Sequence, residues 1–167
     1  MVNVLSSSGL RIGEAVQIEL DGIKLDQDPP TIYLEAEKTK GRAHARYIFI
    51  SYRAKQVLQE WIDYRTEYAK RASKIGRGYT FDPAEDNRLF PFYQTTFTNK
   101  WNLACQKAGF DEKDKTTNRS LLTPHKLRKY FRSQGWSIPD APEALMGRRS
   151  RYNATYAKML QVSECFS

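Results

Sequence analysis

Cysteine and histidine are both scarce, with two of each among 167 residues. Cys105 and Cys165 are too few for a disulfide framework or a cysteine-rich metal site. Cys105 sits among apolar residues at helical spacing and is expected in a core, while Cys165 has no readable role. No stretch approaches the roughly 20 apolar residues that cross a bilayer. Met1 is followed by a short mixed segment, without the charged region and apolar run of a secretory leader. Internal repeats and low-complexity tracts are also missing. These shortages exclude disulfide-stapled and membrane-spanning classes, and the expectation is a soluble intracellular chain.

Positive charge and aromatic residues are plentiful. Lys and Arg number 27 against 19 Asp and Glu, a formal net charge of +8. The charge is clustered. From residue 119 to 151 the chain carries Arg119, Lys126, Arg128, Lys129, Arg132, Arg148, Arg149 and Arg151, against Asp140 and Glu143. A field concentrated this way draws in polyanions, so nucleic acid is the expected partner. Three Trp, eight Phe and ten Tyr can fill a core, and 167 residues suffice for one domain and not comfortably for two.

Apolar spacing supplies the elements. Ile12, Ala15, Val16 and Leu20 share one face and predict an opening helix, stopped by Asp21-Gly22 and Asp28-Pro29-Pro30. Ile32, Leu34 and Ala36 alternate with Tyr33 and Glu35 as in a half-buried strand, and residues 47–51 read as its partner. Lys38-Thr39-Lys40-Gly41-Arg42 between them is the expected hairpin tip. A long amphipathic helix follows through Ala54, Val57, Leu58, Trp61, Ile62, Tyr68, Ala69 and Ala72. After a connection over residues 76–87, a further helix fits Phe97, Trp101, Ala104, Cys105 and Ala108, closed by Gly109. Residues 111–118 are polar and expected as an exposed loop.

Thr123-Pro124 predicts a capped helix start with Pro at the first helical position. His125, Arg128 and Arg132 then fall on one face, with Leu127 and Phe131 turned to the core. Pro139-Asp140 should open a short helix ended by Gly147, before a last helix holding Tyr152 and Tyr156. The expected class is mainly α with one small antiparallel hairpin (α+β).

Several of these residues suit phosphodiester chemistry. Attack at phosphorus places extra negative charge on the nonbridging oxygens. Arg meets that charge with a planar fork that never deprotonates. Preorganised donors of this kind contribute about 3–4 kcal/mol each at a transition state. Arg11 and Arg128, from separate helices, are candidates for such a clamp. Each residue also has a plainer reading by itself. Arg11 suits a surface pair with Glu14, His125 a structural helix histidine, Lys38 a turn residue, and Tyr156 a filler.

Taken in order, the set resembles the tyrosine recombinases, or phage-type integrases. Gly9-Leu10-Arg11 with Glu14, Lys38 in the hairpin turn, and His125 through Arg128 followed by Tyr130 and Phe131 carry the resemblance. Leu145-Met146-Gly147-Arg148 and Tyr156 complete it. The phrase from Arg128 to Gln134, followed by Glu143-Ala144-Leu145-Met146-Gly147, looks most like archaeal members. The resemblance spans Gly9 to Tyr156 and implies the tyrosine recombinase catalytic-domain fold, here one domain over residues 1–167. It implies that Tyr156 attacks a DNA phosphate and becomes joined to the 3′ end, which requires loss of a proton whose ordinary pKa is about 10. His125 would assist proton movement, Lys38 would protonate the departing 5′ oxygen, and Arg11, Arg128 and Arg148 would hold nonbridging oxygens. Rejoining then needs no cofactor, ATP or metal, and no acidic cluster of two-metal type stands beside these residues. Lys40, Arg42, Lys126, Lys129, Arg132, Arg149 and Arg151 are the expected contacts to double-stranded DNA.

The chain departs from the family pattern at two points. Arg148 stands where the family most often has His or Trp. The core-binding domain and the further helix or two that usually precede Gly9 are expected to be missing, which would weaken DNA affinity and make it strongly salt-dependent. Lys40 competes with Lys38, and Tyr152 with Tyr156, where spacing from Arg148 favours Tyr156. His44 is a DNA-backbone contact or a surface residue. Met159, Leu160, Val162 and Phe166 in the tail suit either self-association on DNA or packing on their own domain. Two other functions compete with recombination: a DNA-binding remnant that no longer reacts, and a type IB topoisomerase. The expected location is the cytoplasm, on the nucleoid when DNA is bound.

Overall fold

The computed structural model describes residues 1–35, 45–75, 82–134 and 141–147. The chain starts with a helix, α1 (Val2–Ser8), which the sequence reading does not anticipate ahead of Gly9. Val4, Leu5 and Ser8 lie at one- and four-residue steps and are buried, so α1 has a small inward face. It packs against the later helices over Tyr52–Ile75 and His125–Ser133. Gly9 ends it in the left-handed region, with φ +64° and its N–H bonded to Leu5 O at 3.0 Å.

The helix expected through Leu20 is shorter: α2 spans Ile12–Ala15. The reason is a competing backbone partner. Leu89 donates to Ile18 O at 2.7 Å and Leu20 donates to Asn87 O at 2.9 Å, so residues 18–20 run extended. Their groups are satisfied across the chain instead of along a helix.

The hairpin forms, with one strand more than expected. β1 (Ile23–Lys24), β2 (Thr31–Leu34) and β3 (Arg46–Phe49) make an antiparallel sheet in that order. Register places Ile32 opposite both Ile23 and Ile48, and Tyr33 opposite Tyr47. Ile32, Leu34 and Ile48 are buried, whereas Tyr33 and Tyr47 pair their rings 5.3 Å apart on the exposed face. This is the period of two read from the sequence. The hairpin tip lies outside the described residues.

α3 (Tyr52–Ile75) buries Ala54, Leu58 and Ala69 as expected, together with Arg65. Arg65 Nε donates to Arg88 O at 2.6 Å, and Trp61 Nε1 to Leu89 O at 2.8 Å, fastening residues 86–89 along the helix. Asp86 receives Arg88 Nε at 2.9 Å and NH2 at 2.7 Å. In α4 (Gln94–Lys107) Phe97 and Cys105 are buried, but Ala104 and Ala108 are exposed, so its apolar face is narrower than predicted. Gly109 closes the helix at φ +76°, and residues 111–118 are largely exposed.

α5 (His125–Ser133) begins one residue later than the Thr123 cap predicts. Pro124 is the N-cap, without a side-chain cap bond, and Thr123 contributes its carbonyl to Lys126 N–H at 2.9 Å. Phe131 is buried and Leu127 packs on the core. Arg128 does not share the exposed face of His125 and Arg132; it is buried. A three-residue step turns a helix by about 60° short of a full circle, enough to carry Arg128 to the packed side. α6 (Ala141–Leu145) precedes Gly147 at φ +69°, the expected stop. The start at Pro139-Asp140 and the helix of Tyr152 lie outside the described residues.

Candidate active site

Arg11 occupies the N-cap of α2 with extended backbone, φ −75° and ψ 144°. Three residues on, Glu14 reaches back. Its Oε2 accepts the Arg11 backbone N–H at 3.0 Å and its Oε1 accepts Arg11 NH1 at 3.0 Å. The Glu14 side chain is 3% exposed and that of Arg11 37%, so a buried carboxylate holds a half-open guanidinium from below. Solvent screens the Arg11 end of this pair, whereas the buried Glu14 carboxylate depends on its partners to compensate its charge.

Arg128 approaches the same stretch from α5. Its NH1 donates to Gly9 O and its NH2 donates to Met146 O at 3.0 Å. One buried guanidinium therefore ties the turn before Arg11 to the turn after α6. Two charge-assisted bonds to otherwise buried carbonyls account for the burial of the cation. His125 lies one turn earlier on α5 and is exposed. The structure thus draws together the Gly9-Leu10-Arg11 segment, the His125–Arg128 turn and Leu145-Met146-Gly147.

Lys126 and Lys129 are exposed on α5. Arg132 is exposed too, but its Nε stands 2.6 Å from Glu143 Oε1, so part of its charge is taken up within the domain. Lys38, Arg148 and Tyr156 fall outside the described residues, as do Lys40, Arg42, His44, Arg149, Arg151 and Tyr152.

Arg46 is a site residue that sequence reasoning misses. It opens β3, and its NH2 donates to Glu14 Oε2 at 3.1 Å. Nothing local marks it, since its partner lies 32 positions earlier.

The profile of the phage integrase family matches residues 1–135. The chain belongs to the phage integrase family. Among solved structures it is similar to XerA recombinase, with TM-score 0.64 and 19% identity over 93% of this chain and 50% of that one. It is similar also to XerH site-specific recombinase bound to difH substrate in a pre-cleavage complex, with TM-score 0.60 and 16% identity over 99% and 44% of the two chains. For the Tn1549 transposon integrase in complex with circular intermediate DNA the TM-score is 0.55, with 17% identity over 95% and 55%. The chain spans about half the length of these proteins. At such identities the likeness is one of fold: helices around a small antiparallel sheet, as in tyrosine recombinase catalytic domains. No curated protein gives a significant match.

Proposed function

We propose that residues 1–167 act as one tyrosine recombinase catalytic domain, cutting double-stranded DNA and rejoining it through a 3′-phosphotyrosyl intermediate. The observation that carries this reading is Arg128, buried between the carbonyls of Gly9 and Met146. A guanidinium so placed gathers three motif segments that the chemistry needs side by side. Arg11 presents the half-exposed guanidinium and Arg128 the buried one, and His125 stands one turn from Arg128 to move protons. Tyr156 is the nucleophile, Lys38 the acid for the leaving 5′ oxygen, and Arg148 a donor to a nonbridging oxygen. The Tyr156 oxygen bonds to phosphorus as the bond to the 5′ oxygen breaks, and the proton transfers and charge stabilisation that this exchange needs come from side chains, so the reaction runs without a metal or cofactor.

Finer readings follow from the same proposal. The phrase from Arg128 to Gln134 supports kinship with archaeal members. Exposed Lys126 and Lys129 support contact with the DNA backbone, along with Lys40, Arg42, Arg132, Arg149 and Arg151. The apolar tail after Tyr156 docks on a neighbouring copy when the protein assembles on DNA. Among the described residues no helix is long and apolar enough to cross a membrane. As a DNA-joining enzyme the protein would work in the cytoplasm, on the nucleoid when DNA is bound.

A nicked suicide duplex provides the test. Wild type is expected to form a covalent protein–DNA adduct, Tyr156→Phe none, and Tyr152→Phe a normal amount. An adduct from Tyr156→Phe at the wild-type level overturns the nucleophile assignment. DNA binding with no adduct from wild type points to a non-reacting remnant. Relaxation of supercoils without any recombination site points to a topoisomerase.

A further inference from the structure

Arg46 lies outside the set of residues given a role above. Its side chain is 15% exposed, and it shares the Glu14 carboxylate with Arg11. Glu14 Oε2 takes Arg46 NH2 at 3.1 Å and the Arg11 backbone N–H at 3.0 Å, while Oε1 takes Arg11 NH1 at 3.0 Å. The Arg46 guanidinium also lies against Gly147. A Cβ on that glycine would stand 2.8 Å from both Arg46 Cζ and NH1. Arg46 Nε is buried and has no hydrogen-bond partner among the described residues.

We propose that Arg46 is a positioning residue for Arg11, acting through Glu14, and that its guanidinium sets the course of the Gly147 turn. The inference rests on the recombinase reading of the chain. Its basis is charge balance in a dry site. With Arg11 as sole partner, the buried Glu14 carboxylate would draw the Arg11 guanidinium inward and spend its charge there. A second guanidinium on the other oxygen compensates the carboxylate, and the three-membered cluster keeps one net positive charge. The more exposed member, Arg11, presents that charge outward. The same planar group fills the space beside Gly147, the residue before Arg148, so one side chain fixes the approach of both segments. Lys at position 46 would keep the charge and lose the flat fork that lies along the glycine.

The test compares wild type, Arg46→Met and Arg46→Lys on the nicked suicide duplex at saturating enzyme, with DNA affinity measured separately by anisotropy across a salt series. Arg46→Met is expected to form adduct about 10²-fold more slowly, the scale of a misplacement near 1 Å, with DNA affinity and its salt slope essentially unchanged. Arg46→Lys should fall between it and wild type. A purely structural or purely DNA-contacting Arg46 would not divide rate from affinity in this way. A further variant, Arg46→Met combined with Glu14→Gln, should lose less rate than the two single losses multiplied together, because part of the Arg46 effect passes through that carboxylate; fully multiplicative losses would overturn the coupling. If Arg46→Met does not fold, Arg46→Lys carries the comparison, and a wild-type rate from it overturns the inference. Equal rates for Arg46→Met and wild type overturn it while leaving the recombinase reading intact. No adduct from wild type overturns both.

Discussion

Replacing Gly9 by alanine separates two costs that the structure assigns to one position. The first is backbone. At φ +64° an L-residue pays about 1–2 kcal/mol for the left-handed conformation. The second is space, because a Cβ on Gly9 would overlap Phe131 Cδ1 and stand 2.8 Å from Met146 Cγ. Overfilling a packed site of this kind costs a further 1–3 kcal/mol or so. Gly109 is the matched control: its φ is +76°, yet nothing lies within 4 Å of its Cβ position. Gly109→Ala therefore carries the backbone cost alone. Gly9→Ala should be the less stable variant by roughly 1–3 kcal/mol, or about 2–12 °C in Tm for a chain of this size. Thermal unfolding followed by circular dichroism measures the gap. Phe131→Leu in the Gly9→Ala background should recover part of it, as a coupling energy between neighbours. Equal losses at Gly9 and Gly109 would refute the close approach of α5 to the turn before Arg11.

Two further outcomes are expected. Asp114 accepts the Thr117 N–H at 2.7 Å, the Thr117 hydroxyl at 2.9 Å and the Thr116 N–H at 3.0 Å, and these bonds hold its pKa below the ordinary 3.8. A depressed carboxylate contributes stability that is complete above the ordinary value and is lost as pH falls through the folded one. Carboxyl NMR should show Asp114 titrating below 3.8, with protection of the Thr117 amide lost over the same window; titration at or above 3.8 would contradict the geometry. On DNA, Lys126→Ala and Lys129→Ala should each lower the slope of log affinity against log salt by about 0.9, one phosphate apiece. Arg132→Ala should lower it less, since Glu143 already engages that side chain. Unchanged slopes for both lysine variants would turn this face of α5 away from the duplex.

The parts of the fold legible in the sequence are those governed by local pattern. Alternation at residues 32–34 marks β2, helical spacing from Ala54 to Ala72 marks α3, and Gly109 and Gly147 stop helices in the left-handed region. Pattern fails where a distant partner decides. Leu20 follows Val16 at helical spacing, yet residues 87–89 compete for the backbone of residues 18–20 and leave it extended. β1 is two residues long, too short for any period, and α1 rests on little more than Val4 and Leu5. The site divides the same way. Glu14 and Arg11 are neighbours on one turn, so their pairing is readable from spacing. The pairing of Arg46 with Glu14 and the burial of Arg128 depend on three-dimensional closure, and neither leaves a trace in the linear order.

The two carbonyls that Arg128 engages lie 119 positions before it and 18 after it along the chain. During synthesis, a chain that has emerged only through α5 has the first acceptor and lacks the second. The guanidinium can be seated fully only after Met146 has left the ribosome. The contact that gathers the three segments thus closes late, once most of the chain has been made.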